Sequence, residues 1–198
     1  EVIFPYIGGK EVNDSPTHAH HRYVINFGDR TEEECRRQWP ELMGIVERKV
    51  KGTRGSHSTA PWWQFERPRG ELYLATSECE RALTIPCISN TLAFASLATR
   101  IVFSHKLIVF PLQEQMWFAL MQSRAHECWA RFFASSMKDD LNYSPTDCFE
   151  TFPFPTVLCD AASSNPILGA QRRSLEAIGD RYHQFRAELM VANNEGLT

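Results

Sequence analysis

Long hydrophobic runs are absent from the sequence: it has no stretch of about 18 apolar residues, so no transmembrane helix is predicted. The six cysteines form no CxxC pair, which argues against a structural zinc site and a disulfide framework. The chain also lacks an initiator Met and a basic-then-apolar signal sequence, so we interpret it as a segment of a longer protein. Reduced, partly buried thiols are typical of a cytoplasmic protein, and this is the localisation that we expect.

Motifs of autonomous enzymes are also missing. The sequence has no Walker-type phosphate loop, no GxGxxG fingerprint and no GxSxG elbow. The stretch THAHH (17–21) lacks the helical i, i+4 spacing and the carboxylates of a metal site, which favours a solvated loop. A small hydrolase that uses His126 and Cys128 is an open alternative, although we expect the helix to place Cys128 in the hydrophobic core. The sequence therefore predicts no catalytic centre in this segment.

Charge is unevenly distributed along the chain, although the net charge is only −3. The segment Arg48–Arg69, which we call the basic arm, carries six bases against the single acid Glu66, a net charge of +5. The preceding segment Asp29–Glu47 has a net charge of −3. Such asymmetry is typical of one basic face that binds a polyanion, and a solvated surface is the alternative.

A second polar cluster follows the basic arm, between two apolar runs. Glu78, Glu80 and Arg81 lie close together in TSECERALTIP. Carboxylates accept hydrogen bonds from the amino groups of cytosine or adenine, and arginine donates two to guanine, so this cluster could recognise bases while basic residues bind phosphate. A surface salt-bridge cluster is the alternative. The candidate DNA-binding residues are Arg48, Lys49, Lys51, Arg54, Arg67, Arg69, Glu78, Glu80, Arg81 and Lys106.

The first half of the chain predicts one strand and one helical region. RYVINFG (22–28) is rich in β-branched and aromatic residues, which is typical of a strand. Thr31 and Glu34 have the spacing of a capping box, and Gly52 marks the end of the helical region. Because proline disrupts a helix interior, Pro40 predicts a kink or two helices that meet there.

Short apolar runs occupy the middle of the chain. ELYLAT, RALTIPCIS, TLAFASLA and IVFSHKLIVFPL, within 71–112, predict the strands of one sheet with tight connections. The segment 114–137 predicts a single helix with a wide apolar stripe. The stripe residues are Trp117, Met121, Ala125, Cys128 and Phe132.

The last part of the chain predicts a strap and a helix. DLNYSPTDCFETFPFP (140–155) suits neither a helix nor a central strand because of its prolines. We expect its aromatic residues to pin the helices to the sheet, and direct stacking on bases is the alternative. Those aromatic residues are Tyr143, Phe149, Phe152 and Phe154. A final helix is expected to begin near Pro166 and to pack through a heptad-like seam. The seam consists of Leu175, Ile178, Tyr182, Phe185 and Leu189.

Several stretches together resemble a known family. They are PYIGGKEVND…RYVINFGD, WPELMGIVERKVK, WWQF…ELYLA, KLIVFP and FALMQSRAHECWARFFASSMKDDLNYSPTDCFETFPFP. These stretches are similar to the C-terminal part of large bacterial adenine-N6 DNA methyltransferases of the Type IIG/IIL restriction–modification group, which has relatives in phage-defence systems. The resemblance runs from about Ile3 to Pro155, and its last block closes the target recognition domain in that group.

The resemblance implies a mixed α/β (α+β) fold: a small mixed β-sheet packed with helices, of the TaqI-like specificity-domain type, plus a C-terminal helix. It implies a DNA target recognition domain over residues 1–155, followed by a linker and the C-terminal helix over residues 156–198. It places the base-reading positions between Arg67 and Arg81.

The implied partners are double-stranded DNA and the methyltransferase domain of the parent chain, with no membrane. That parent would be a site-specific adenine DNA methyltransferase, to which a nuclease can be fused. It would use S-adenosyl-L-methionine, whereas this segment would hold no cofactor. A protein–protein docking module of a multi-subunit defence complex, with the seam of the final helix as its contact, is the alternative.

Overall fold

The computed structural model describes residues 1–55, 58–137, 140–155 and 165–198. Its helices are α1 (Gly9–Asp14), α2 (Glu32–Gln38), α3 (Pro40–Val46), α4 (Gly70–Ala75), α5 (Gln115–Met121), α6 (Arg124–Phe133) and α7 (Pro166–Asn193). Single π-helical turns cover Glu47–Lys51 and Pro145–Phe149. None of the helices in these ranges is long and apolar enough to cross a membrane. The expected linker at 156–164 lies outside the described residues.

The strands form three small sheets, so the prediction of a single sheet is wrong. They are β1 (Ile3–Ile7), β2 (Arg22–Ile25), β3 (Arg81–Pro86), β4 (Ile88–Ser89), β5 (Ala95–Ala98), β6 (Val102–Phe103), β7 (Leu107–Phe110), β8 (Ser135–Met137) and β9 (Asp140–Asn142). The strand orders are β2-β1-β6, β5-β3-β7 and β4-β9-β8. The chain leaves the second sheet at Cys87, whose amide still bonds to Lys106, while Ile88 pairs with Asn142 in the third. Small sheets combined with several helices confirm the mixed α/β fold class.

The helical region after β2 confirms the predictions made from its local signals. The Thr31 side chain accepts a hydrogen bond from the Glu34 amide at 3.3 Å, and the Glu34 carboxylate accepts one from the Thr31 amide at 2.9 Å. This capping box satisfies amides at the start of α2. Pro40 begins α3 directly after α2 ends, because a proline is tolerated in the first turn of a helix and not in its interior.

The prediction of a strand at ELYLAT is wrong, because this stretch forms α4. A strand would place Leu72 and Leu74 on the same face. Instead Leu72 and Thr76 lie on the inner side at helical i, i+4 spacing, whereas the Leu74 side chain is 75% exposed. Leu72 and Leu74 have the two-residue spacing of a strand, but only Leu72 packs against the rest of the chain.

The predicted long helix of residues 114–137 is two helices, α5 and α6. Gln122 ends α5 and bridges two backbone groups: its Nε2 donates to the Leu92 carbonyl at 2.7 Å, and its Oε1 accepts from the Phe94 amide at 2.9 Å. Ser123 then caps α6 by accepting from the His126 amide at 3.3 Å. The helix therefore ends at Gln122, whose side chain bonds to a neighbouring loop, and a new helix begins after the N-cap Ser123.

The change of direction at Gln122 makes the predicted apolar stripe wrong in α6, whereas its α5 residue Met121 is buried as predicted. Cys128 is exposed and Phe132 is 81% exposed, whereas His126 and Ala130 of α6 are fully buried. His126 Nε2 lies 2.9 Å from the Tyr143 hydroxyl, and burial lowers the pKa of His126 to about 4. The polar partner Tyr143 allows α6 to bury a histidine in place of Cys128.

The strap prediction agrees with the packing of its aromatic residues. Tyr143 is buried, with its ring 5.8 Å from that of Phe94 and 6.3 Å from that of Phe110, and Phe149 lies 4.7 Å from Phe110. Burial raises the pKa of Tyr143. The start of the strap, however, forms β9 in the centre of the third sheet, so the exclusion of a central strand is wrong there. The prolines follow β9, which leaves its amides free to pair.

The final helix begins at Pro166 as predicted, but only part of the predicted seam packs on the rest of the chain. Three of the seam residues, Ile178, Phe185 and Leu189, are 44%, 61% and 47% exposed, and Tyr182 is 40% exposed. The buried residues of α7 are Gly179 and Met190. Of the seam, Leu175 packs on Met116 of α5, and the Tyr182 ring stacks on that of Phe118 at 5.7 Å. The helix is therefore rotated away from its most apolar side.

Two features of α7 explain that rotation. The Glu176 carboxylate accepts hydrogen bonds from the amides of Gln115 and Met116 at 2.9 and 2.8 Å, so it caps the N-terminus of α5. Gly179 approaches the same turn so closely that a Cβ there would overlap the Gln115 carbonyl oxygen and lie 2.6 Å from its carbon. A polar cap and a close backbone contact fix the rotation of α7.

Candidate nucleic-acid interface

The first part of the basic arm lies on the π-helical turn at the end of α3. Arg48 and Lys49 are exposed there, and in the described ranges neither forms an ion pair. Lys51 donates to the Glu47 carboxylate at 2.8 Å, and its Nζ lies 5.0 Å from the centre of the Trp62 ring. Arg48 and Lys49 are thus available to a polyanion, whereas Lys51 is shared with a carboxylate.

Arg54 shapes the loop that follows this turn. Its half-buried side chain donates to the carbonyl of Pro61 and, at 2.7 Å, to that of Gln64, and it lies 3.5 Å from the Glu66 carboxylate. A hydrogen bond from Ser58 lowers the pKa of Glu66. The Arg54 guanidinium is therefore occupied by its own loop.

The second part of the basic arm borders a groove of about 500 Å³. Its aromatic and basic lining includes Tyr6, Phe65, Arg67, Arg69, Tyr73 and His105, and we call it the aromatic groove. Arg69 donates from Nη1 to the Ser104 carbonyl at 3.4 Å, which ties the arm to the turn between β6 and β7. Exposed Lys106 follows His105 in that turn. The fold thus brings Arg67 and Arg69 together with the turn that carries Lys106.

The backbone of Arg69, which lines the groove, has an unusual conformation. Arg69 has φ +54°, a left-handed conformation that is uncommon outside glycine, and α4 begins at the next residue. Arg67 is exposed in the preceding loop, and Tyr73 of α4 forms part of the groove wall, where burial raises its pKa. In such an arrangement the aromatic rings can stack on nucleobases, and the neighbouring arginines can bind the phosphates that link those bases.

A smaller groove of about 270 Å³ links this region to the first part of the arm. Its lining includes Lys49, Trp62, Trp63 and Phe65, and Phe65 is shared with the aromatic groove. The Trp63 Nε1 donates to the Arg30 carbonyl at 3.0 Å, which fixes the tryptophan-rich loop against the helical region. The basic arm therefore forms one strip that runs from Lys49 past Phe65 to Arg69.

The polar cluster at the end of the second sheet is divided between two sides. Glu78 and Glu80 line a groove of about 500 Å³ together with Thr99 and Arg100, which we call the polar groove. Arg81 lies on the other side and donates from Nε to the Ser96 hydroxyl at 3.0 Å. Within the described part of the chain these three candidate residues form no ion pair, so the salt-bridge alternative has no support there.

Arg100 and His105 were not predicted from the sequence. Arg100 lines the polar groove, and His105 lines the aromatic groove. Both lie at the ends of short apolar runs, in ATRIVF and VFSHKLIV. Polar residues in tight turns between such runs are the signal that could have found them.

The histidines of THAHH divide between an exposed pair and a half-buried residue. In the described ranges no group of three or more His, Cys, Asp or Glu side chains could hold a metal ion. His20 and His21 are exposed, but His18 is half-buried and its Nδ1 bonds to the Val12 carbonyl at 2.9 Å. The prediction of a solvated loop is therefore wrong for His18.

Comparison with known proteins agrees with the fold. A family model described as "MmeI, target recognition domain" matches residues 1–156. A solved structure of the Type IIL restriction–modification enzyme MmeI in complex with DNA is similar, with a TM-score of 0.59 and 19% sequence identity. The match covers 90% of this chain and 22% of that enzyme. No curated protein matches. The chain belongs to the MmeI target recognition domain family, a class of domain found in Type II restriction–modification enzymes.

Proposed function

We propose that this chain recognises a short sequence in duplex DNA on behalf of a larger S-adenosyl-L-methionine-dependent adenine-N6 methyltransferase. In this proposal the segment has no catalytic centre, and cofactor and chemistry belong to the rest of the parent enzyme. A cytoplasmic location follows from access to DNA. The observation that supports the proposal is the continuous strip of basic and aromatic side chains from Lys49 to the aromatic groove.

The proposed contacts divide by chemistry. Exposed basic residues on the strip would bind phosphates, which fixes the position of the domain on the duplex and carries no sequence information. They are Arg48, Lys49, Arg67 and Lys106, beside the half-buried Arg69. The carboxylates of Glu78 and Glu80 and the guanidinium of Arg100 would meet base edges, because acceptors and donors side by side can distinguish base pairs in the major groove.

The phosphate contacts predict how binding depends on salt. Neutralising Lys49 or Arg67 by substitution to Gln should weaken binding to all duplexes alike. Each variant should flatten the plot of log affinity against log salt by about 0.9, because one phosphate contact is lost. Fluorescence anisotropy of a labelled duplex at several salt concentrations measures this slope.

The matched control for these variants is Arg37→Gln, which removes the same charge from an exposed position on α2 outside the basic arm. Its slope should equal that of the unsubstituted chain. If Lys49→Gln and Arg67→Gln also leave the slope unchanged, the strip does not contact phosphate.

The proposal also assigns an occupant to the apolar side of α7. Ile178, Phe185 and Leu189 form an exposed stripe, and the matched enzyme is several times longer than this chain. We propose that the methyltransferase domain of the parent covers this stripe, as exposed contiguous apolar surface marks an interface. The docking-module alternative uses the same stripe, but it predicts binding to a protein partner and no salt-dependent binding to DNA.

A further inference from the structure

A separate pocket lies between α7, strand β5 and the loop that follows α1. Its volume is about 290 Å³. We call it the α7 pocket, and its polar lining residues are Thr17, His18, Arg81, Ser96, His183 and Arg186. It lies on the other side of the strand end from the polar groove, and Ala98 borders both.

The charge of the α7 pocket is uncompensated. Two arginines and two histidines line it, and no lining residue is acidic. In the described ranges neither Arg81 nor Arg186 has a carboxylate partner. Asp180, one turn before the pocket on α7, is the acid that acts on His183. A concave site with cationic donors and no acid in its wall is complementary to an anion.

Both arginines are held in place by neutral groups. Arg186 donates to the Phe94 carbonyl and, at 3.2 Å, to the Gln122 side chain, and its guanidinium carbon lies 4.8 Å from the centre of the Phe118 ring. Arg81 donates to the hydroxyl and to the carbonyl of Ser96. A guanidinium has five N–H groups, so these bonds orient each arginine and leave donors for a ligand.

Burial and then Arg186 favour the neutral form of both histidines of the α7 pocket. Burial and the nearby Arg186 lower the pKa of His18 to about 4. Burial and Arg186 also lower the pKa of His183. His18 is fixed by its bond to Val12 and has φ +52°, a conformation that is strained outside glycine and persists where the surroundings impose it. Burial lowers the pKa of Arg186 as well, to about 10.

We propose that the α7 pocket binds a phosphate group through Arg81, Arg186 and the two histidines. Arginine donates paired hydrogen bonds that match phosphate oxygens. The volume lies near the lower limit for ligand sites, which suits a phosphate or a phosphodiester rather than a large cofactor. The phosphate comes either from the DNA backbone or from a free phosphate ion.

The test is an NMR titration of the unsubstituted chain that follows the imidazole resonances of His18 and His183 at constant ionic strength. One arm adds inorganic phosphate in place of chloride, and the other adds an unlabelled duplex. A saturable shift with phosphate alone assigns a free anion, and a shift with the duplex assigns a backbone phosphate. The anion should raise the pKa of both histidines, because it compensates the charge of the arginines.

Three variants test the assignment. Arg81→Gln removes one ligand, and Ala187→Glu adds a carboxylate at an exposed lining position of α7 without removing any packing. Each should weaken the saturable shift at least fivefold. Arg181→Gln removes one charge from an exposed position of α7 outside the pocket, and it should leave the shift unchanged. If Arg81→Gln does not fold, Ala187→Glu alone decides.

The absence of a saturable shift with both phosphate and duplex would overturn the inference, as would an Arg181→Gln variant that weakens it as much as Ala187→Glu does. The duplex arm rests on the proposed DNA-binding function, whereas the phosphate arm does not. Duplex binding is measured separately by anisotropy. If the chain binds DNA but neither phosphate nor the duplex shifts the histidine resonances, the inference about the α7 pocket is wrong and the proposed function stands.

Discussion

The Gly179→Ala variant should unfold well below the temperature at which the unsubstituted chain unfolds. A Cβ at this position would overlap the carbonyl group of Gln115, which is backbone and cannot rotate away. Helix α7 would have to move off the N-terminus of α5, and the bonds from the Gln115 and Met116 amides to Glu176 would be lost with it. Overpacking of this kind costs about 1–3 kcal/mol or more. Thermal unfolding followed by circular dichroism measures the loss, at about 2–4 °C for each kcal/mol.

Gly169→Ala is the matched control, because it makes the same substitution in the same helix. A Cβ at Gly169 would meet only the end of the flexible Arg173 side chain, at 3.5 Å. Alanine is a better helix former than glycine by about 1 kcal/mol, so this variant should be as stable as the unsubstituted chain or slightly more stable. Equal melting temperatures for the two variants would show that α7 does not pack on α5 as described.

The second large effect is expected at the polar groove. Replacing Glu80 by Gln should cost about 1–3 kcal/mol of binding on the cognate site, because the carboxylate accepts from an amino group of a base. The cost on random DNA should be small. Fluorescence anisotropy measures the affinities for a cognate and a scrambled duplex, and the ratio of cognate to scrambled affinity should fall in the variant.

The control for Glu80 is Glu33→Gln, which makes the same substitution at an exposed position in the first turn of α2. It should leave the ratio of cognate to scrambled affinity unchanged. Substitution of Arg81, which faces the α7 pocket, should not change the preferred base. A Glu80→Gln variant with an unchanged ratio would place the base-reading residues elsewhere.

Local signals in the sequence predicted local structure well. The capping box at Thr31 and the boundary at Pro40 depend on hydrogen bonds and sterics within a few residues, so they could be predicted from the sequence. The start of the last helix at Pro166 has the same origin. The division between α5 and α6 could not be predicted in this way. The Gln122 side chain, at the end of α5, forms hydrogen bonds with the backbone of Leu92 and Phe94, which are distant in sequence.

The packing face of α7 shows why apolar periodicity can fail. The spacing of Ile178, Phe185 and Leu189 correctly marks one side of a helix, but that side is exposed in this chain. The contact with α5 is decided by Gly179 and Glu176, through absence of a side chain and through hydrogen bonds. Neither contributes to a hydrophobic pattern.

The candidate site was predicted in part. The basic arm was visible as a charge asymmetry, and the structure places Arg67 and Arg69 in one groove with the turn before Lys106. Sequence alone could not show that Arg54 is consumed by its own loop, or that Glu80 and Arg81 lie on opposite sides of a strand end. Those outcomes depend on which neighbours the fold supplies.

Selection of binding sites from a randomised duplex library by this chain, followed by sequencing, tests the central claim most directly. The recovered duplexes should share one short asymmetric sequence if the domain recognises DNA by sequence. The same selection with Glu80→Gln should relax one position of that sequence and leave the others unchanged. Recovery of duplexes with no common sequence, from a chain that remains folded and binds DNA, would contradict the account.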